Sequence, residues 1–144
     1  NDYTYHDDPD KREDSRYIHR GAFQWEEAER RNDPDTRQGR LFQGLRRLEA
    51  LRAGEPCFEA RANVQVEDSG DYRVLALCRR MEGRELVCLF NFSGDFVRAH
   101  INRDGPYTEL MYGTKHDGLR DVELWPNGFA WLLREPDGPK TAAH

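Results

Sequence analysis

Tyr72-Arg73-Val74-Leu75-Ala76-Leu77-Cys78-Arg79-Arg80-Met81-Glu82-Gly83-Arg84-Glu85-Leu86-Val87-Cys88-Leu89-Phe90-Asn91-Phe92 is the stretch from which the rest of the chain is read. Two apolar runs, Tyr72 to Arg80 and Glu85 to Phe92, flank Met81-Glu82-Gly83-Arg84. Runs of this length bounded by a Gly-containing turn read as two antiparallel strands, with Gly83 free to take positive φ. A register through Glu82-Gly83 sets Cys78 opposite Val87 and not Cys88. The three cysteines, Cys57, Cys78 and Cys88, therefore read as free thiols packing like small apolar side chains. They form no CxxC pair and have no neighbouring histidine at zinc spacing.

Downstream and just upstream, further short segments rich in β-branched and aromatic residues alternate with Gly, Asp and Asn. Ala62 to Val66, Phe96 to Ile101, Thr108 to Tyr112, Asp121 to Leu124 and Phe129 to Arg134 read as strands. Several short strands at this spacing predict a mainly β fold, an antiparallel β-sandwich of the Greek-key type. Before it, Leu41, Phe42, Leu45, Leu48 and Leu51 recur at helical spacing. Asp35 or Thr36 would cap this helix, and Gly54 and Pro56 would end it. A shorter helical turn is expected from Gln24 to Arg31, stopped by Asn32-Asp33-Pro34.

Leu, Ile, Val and Phe make up 28 of the 144 residues, and the first forty hold only Ile18 and Phe23 of these. A segment so poor in core-forming side chains cannot bury enough apolar surface to offset the entropy of ordering itself. Residues 1 to 35 read as a long irregular connection that needs something else to pack on. The tail from Glu135 reads as frayed. With 22 basic and 27 acidic residues and a net charge of −5, the chain lacks the positive field that nucleic-acid binding requires. No long uncharged apolar run marks a membrane span, and Asn1-Asp2-Tyr3 opens no signal peptide, which favours a cytoplasmic location.

GxSxG, P-loop, GxGxxG and HExxH motifs are absent from the sequence. His6-Asp7-Asp8 with Asp10 lacks the alternating ligands of a calcium loop and reads as a solvated turn. His100, on an expected strand, and His116, in an expected turn, have no evident catalytic partner. No cofactor or metal site is expected. The densest cluster of chemistry is Glu13-Asp14-Ser15-Arg16-Tyr17-Ile18-His19-Arg20. Arginine offers a planar fork of donors suited to carboxylates or vicinal sugar hydroxyls and stays charged at any working pH.

Asn1-Asp2-Tyr3, Asp14 through Arg20, Arg31-Asn32-Asp33-Pro34 and the helix end Leu45-Arg46-Arg47-Leu48-Glu49-Ala50-Leu51-Arg52 resemble the C-terminal part of the amylosucrases and sucrose hydrolases. These belong to glycoside hydrolase family 13, the α-amylase family. Leu89-Phe90-Asn91-Phe92-Ser93 and Leu124-Trp125-Pro126-Asn127-Gly128-Phe129-Ala130-Trp131-Leu132 resemble strands of the small sandwich that closes such enzymes. Tyr17 stands where relatives often carry Trp, and Gly21 where they carry Pro.

The resemblance implies that residues 1–55 are a remnant of a (β/α)8 barrel, its last loop and eighth helix, and that residues 56–144 are the C-terminal sandwich. It implies that Arg16 forms the floor of a glucosyl pocket by pairing with a barrel aspartate, supported by Asp14 and His19. The implied partners are the preceding barrel and sucrose or an α-glucan, turned over by a retaining mechanism whose carboxylates lie outside this chain. By itself the chain is expected to be inactive. Its helix would bury Leu45, Leu48 and Leu51 against the sandwich or the barrel, and its polar leader would move freely or self-associate with a second copy. The alternative reading is a stand-alone, non-catalytic carbohydrate-binding module in which Tyr107, Tyr112, Trp125 and Trp131 stack on sugars, although strand alternation places Trp131 in the core.

Overall fold

A computed structural model describes residues 3–19 and 23–134. Its order is two single 3-10 turns (Thr4–Asp7 and Ser15–His19), helix α1 (Trp25–Glu29), a third turn (Arg30–Asn32), helix α2 (Arg37–Gly54), a fourth turn (Pro56–Phe58) and eight strands. The strands are β1 (Asn63–Glu67), β2 (Val74–Met81), β3 (Arg84–Asn91), β4 (Val97–Ala99), β5 (Asp104–Glu109), β6 (Lys115–Gly118), β7 (Val122–Leu124) and β8 (Phe129–Arg134). Packing divides the chain into two compact units, Asn1–Gly44 and Leu45–His144.

The second unit is an antiparallel sandwich, as the strand spacing predicts. One sheet runs β1-β2-β3-β8-β5-β6 and the other pairs β4 with β7. The β2-β3 hairpin forms with Met81 opposite Arg84 and Cys78 opposite Val87, the register read from the sequence. Gly83 takes φ 77°, and Glu82 also takes a positive φ, 51°. A two-residue turn that matches the twist of its strands needs both central residues left-handed, so the turn geometry imposes on Glu82 a conformation its side chain does not favour.

Alternation decides the core. Val74, Ala76 and Cys78 of β2, Val87 and Leu89 of β3, Ala130 and Leu132 of β8 and Tyr107 of β5 face Val97, Ala99, Val122 and Leu124 of the small sheet. The other face carries a second cluster in which Cys57 packs on Leu86 and Cys88, with Phe58, Leu77, Phe90 and Trp131 around them. Because both faces of β3 are covered, Leu86, Val87, Cys88 and Leu89 are all buried, which is why that run is continuously apolar. All three cysteines are free and buried.

Two strands depart from expectation. The segment expected as Thr108 to Tyr112 lies earlier, at Asp104–Glu109, with a bulge between Asp104 and Tyr107 where Gly105 takes φ 106°. Gly105-Pro106 looks like turn punctuation, but a bulge absorbs it inside the strand. The chain then leaves the ladder at Glu109, whose carboxylate accepts the N–H groups of Met111 at 3.0 Å and Tyr112 at 2.7 Å. The other departure is β6, Lys115-His116-Asp117-Gly118, which is an additional strand and places His116 in a ladder opposite Tyr107, not in a turn. Its polar residues carry no strand signature, and pairing with β5 alone makes it one. His100 falls just after β4, its Nδ1 2.6 Å from the Arg120 carbonyl oxygen.

The first unit is built from turns. The Gln24 to Arg31 expectation resolves into α1 and the turn after it. Thr36 is the N-cap of α2: its Oγ1 accepts the Gly39 N–H at 2.9 Å and donates to the Asp33 carbonyl at 2.8 Å. Gly39 lies against that carbonyl with no room for a Cβ. Helix α2 forms where periodicity places it, yet Gly39 is its one buried residue. Leu41 is 59% and Leu45 60% exposed, while Leu48 and Leu51 are half-buried. The expected burial of this face does not occur within the described residues. No helix among them is long and apolar enough to cross a membrane.

Candidate functional site

The 3-10 turn Ser15–His19 opens on Asp14, and this carboxylate organises it. Asp14 Oδ1 accepts the Arg16 backbone N–H at 3.0 Å, and the Asp14 carbonyl accepts the Tyr17 N–H at 3.2 Å. Short aspartate side chains favour this local geometry over regular structure. The same carboxylate then grips the Arg16 side chain, taking Nε at 2.8 Å on Oδ1 and Nη2 at 2.7 Å on Oδ2. This is a two-pronged fork that fixes the guanidinium plane. The Asp14 bond raises the Arg16 pKa, so the group remains a permanent cation. Its side chain is 74% exposed, and so the pair adds little stability.

Around the fork, Lys11 Nζ sits 2.7 Å from Asp8 Oδ2 and 5.8 Å from the centre of the Tyr17 ring. Asp8 Oδ1 also accepts the Asp10 N–H at 3.0 Å, so part of the His6 to Asp10 cluster is taken up in turn formation. The structure thus brings Asp14 and Arg16 together. The side chain of His19 lies outside the described residues, as do Asn1, Asp2, Arg20, Gly21 and the tail from Glu135. An oriented, always-charged planar donor can bind a carboxylate or sugar hydroxyls, but it cannot exchange protons at neutral pH.

The four aromatics weighed as sugar platforms separate sharply. Tyr107 is fully buried and donates to Glu85 Oε1 at 2.8 Å. Burial first, and then that bond, push the Tyr107 phenol up to about 12. Burial would raise Glu85 as well, but bonds from Tyr107 and Arg80 outweigh it and hold its carboxyl below the ordinary range. Trp131 is half-buried, its ring centre 4.6 Å from that of Phe58 and 5.4 Å from that of Phe129. Tyr107 is no platform, which corrects the sequence reading; Trp131, expected in the core, is only partly buried, packed on the outer face of the sheet against the Cys57–Leu86–Cys88 cluster. Tyr112 and Trp125 are open to water. Sequence reasoning also left aside Tyr72, Phe92 and Phe96, large rings at strand ends beside Asp, Ser and Gly. Their position next to turn residues was the available signal.

No family model matches the chain. Solved structures share its fold. AmyP in complex with maltotriose superposes at TM-score 0.63 with 21% identity, over 74% of this chain and 23% of that one. AmyP in complex with maltose gives 0.58 and 22%, over 70% and 22%. Trehalose-6-phosphate hydrolase from Bacillus licheniformis gives 0.55 and 20%, over 76% and 20%. The chain matches between a fifth and a quarter of the length of these proteins. The likeness shows the fold, a mainly antiparallel β-sandwich that each of these proteins contains over about a fifth of its length.

Proposed function

We propose that this chain is the C-terminal part of a glycoside hydrolase family 13 enzyme of the amylosucrase or sucrose-hydrolase type, which transfers glucose from sucrose to an α-glucan or to water. The observation that carries the reading is the sandwich itself, shared at TM-score 0.63 with a maltotriose-complexed protein of which it matches only 23%. The open leucine face of α2 supports it: Leu41 and Leu45 expose apolar area that a soluble helix ordinarily covers. In this reading residues 1–55 belong to the barrel and residues 56–144 form a structural sandwich. The finer assignment to sucrose rests on the Asp14-to-Arg20 resemblance.

Arg16 is the pocket floor, and Asp14 and His19 support it. Held flat by Asp14, the guanidinium keeps one orientation and loses little freedom when a sugar or a second carboxylate meets it. Retaining chemistry requires a nucleophilic carboxylate and an acid on opposite faces of the glycosidic bond. In this reading both come from the preceding barrel, so the 144-residue chain turns over nothing. The test is sucrose consumption by the longer gene product. Arg16→Ala should lower kcat/KM about 100-fold, the scale of a misplaced binding group, with an unchanged thermal midpoint. Full activity in that variant, or no activity on sucrose in the parent, overturns the assignment.

A further inference from the structure

The outer face of the large sheet is the one that the small sheet leaves uncovered. Leu77 of β2, Cys88 of β3 and Trp131 of β8 stand side by side across it, and Phe90 follows Cys88 on the same face. The turn Pro56–Phe58 sets Phe58 against this row, its ring centre 4.6 Å from that of Trp131. Between them remains an open groove of about 360 Å³, lined by these five side chains together with Arg52, Ala60 and Arg79. The whole of it lies within the unit Leu45–His144. Its volume falls in the range of small-ligand sites.

Most of the lining is apolar and uncharged. Burial pushes the Cys88 thiol up to about 12, so this group stays neutral at physiological pH. The indole Nε1 of Trp131 is buried and has no hydrogen-bond partner among the described residues. Buried donors in folded proteins are nearly always paired, so an orphan in the wall of a groove points to an acceptor supplied from outside.

Two lining residues are cations without counter-ions. Arg79 donates through Nε to the Cys57 carbonyl at 2.6 Å and through Nη2 to the Glu59 carbonyl at 3.0 Å, which fixes its guanidinium plane with neutral partners. Neither Arg79 nor Arg52 has a carboxylate partner among the described residues, whereas Arg73, Arg80, Arg84, Arg98 and Arg103 each pair with one. In a chain of net charge −5 carboxylates are plentiful, yet none reaches these two. An apolar groove that also presents two open guanidiniums complements an amphipathic anion, because arginine takes a carboxylate as a fork while the rings take a hydrocarbon body. A sugar or nucleotide fits it poorly. Its hydroxyls would lie against Phe58, Leu77 and Phe90 and lose their bonds to water without replacement.

We propose that this groove binds a small apolar carboxylate, with Phe58, Leu77, Phe90 and Trp131 around the hydrocarbon body and Arg52 and Arg79 on the carboxylate. The site is separate from the sugar pocket assigned to Arg16 and does not depend on the sucrose reading. With a neutral thiol and no carboxylate or histidine in its lining, the groove binds its ligand without transforming it.

The experiment is calorimetric titration of the 144-residue chain with naphthoate, with naphthamide as the uncharged comparison of the same shape. Saturable binding of naphthoate is expected, about tenfold tighter than that of the amide, the scale of one charge-assisted contact. Arg52→Gln, at an exposed side chain with no bond to lose, should weaken naphthoate about tenfold and leave the amide unchanged. Ala60→Trp fills the groove from an exposed position and should abolish binding of both, with an unchanged circular dichroism spectrum. Tyr72→Ala removes an exposed ring outside the groove and should change neither affinity. If the Ala60 variant misfolds, the Arg52 variant and the amide comparison still decide. The site is overturned by no saturable binding, by equal affinity for the amide, or by full naphthoate affinity in both Arg52→Gln and Ala60→Trp. The longer protein should bind naphthoate as tightly as this chain does. Loss of binding there would make the groove the seat of another protein segment and overturn the site, whatever the result on sucrose.

Discussion

The two units are ordered by different physics. In Asn1–Gly44 the bonds are short-range: Asp14 to Arg16, Glu27 to Arg30, Thr36 to the Asp33 carbonyl. Tyr5 and Gly39 are the buried residues among those described there. In Leu45–His144 distant residues meet. Glu55 clasps Arg84, Asn91 holds the Trp125 carbonyl, and Leu89, Tyr107 and Leu132 lose all contact with water. Turns and caps give a chain local shape, but exclusion of water from a shared core gives it cooperativity. The first unit has the former and little of the latter.

Core truncation should sharpen that contrast most. Leu89→Ala in the inner cluster is expected to cost about 2 to 5 kcal/mol, because the cavity it leaves between two sheets cannot collapse. Urea denaturation followed by tryptophan fluorescence measures it, and a change under 1 kcal/mol would mean that the sandwich is loosely packed.

A smaller effect is expected where the fourth 3-10 turn meets the sheet. Glu55 is 6% exposed; burial pushes its carboxyl up, but the bonds from Arg84 (Nη2 at 2.7 Å) and the Cys57 N–H outweigh this, so its folded pKa lies below the ordinary 4.5. A group with a depressed folded pKa contributes stability above its unfolded pKa and loses it as pH falls through the folded value. Stability should therefore decline below about pH 4.5. Glu55→Gln should flatten that decline while costing about 1 to 3 kcal/mol at pH 7. An unchanged acid limb would dissociate this clasp from acid unfolding.

Leu45→Ala should do least in this chain, within about 0.5 kcal/mol, because its side chain is already 60% in water. In the longer protein the same change should cost about 1.5 to 3 kcal/mol if another segment covers the face. Equal costs in both would remove the leucine stripe as support for a preceding barrel.

The hairpin, its register and the long helix were legible because each depends on neighbours in sequence. Met81 to Arg84 supplies a turn, and the period of Leu41, Leu45 and Leu48 supplies a face. The bulge in β5 and the strand β6 were not legible. Gly105-Pro106 and Lys115-His116-Asp117-Gly118 are polar or turn-forming by composition, and only their ladder partners hold them extended. In the candidate site the Asp14-Arg16 pair could be read as a cluster, while its forked geometry could not. Among the aromatics, nothing local separates buried Tyr107 from open Trp125, since each borders a segment read as a strand, and only pairing draws Tyr107 into β5 while Trp125 stays beyond the end of β7.

By itself the sequence determined that a β-sandwich follows one amphipathic helix and a polar leader, since alternation and turn chemistry act over a few residues. Tertiary structure decided which face each strand turns inward, which rings remain in water, and that Glu82 adopts a positive φ. Those outcomes depend on what lies across the sheet or around the turn, and the pattern along a strand cannot specify its cover.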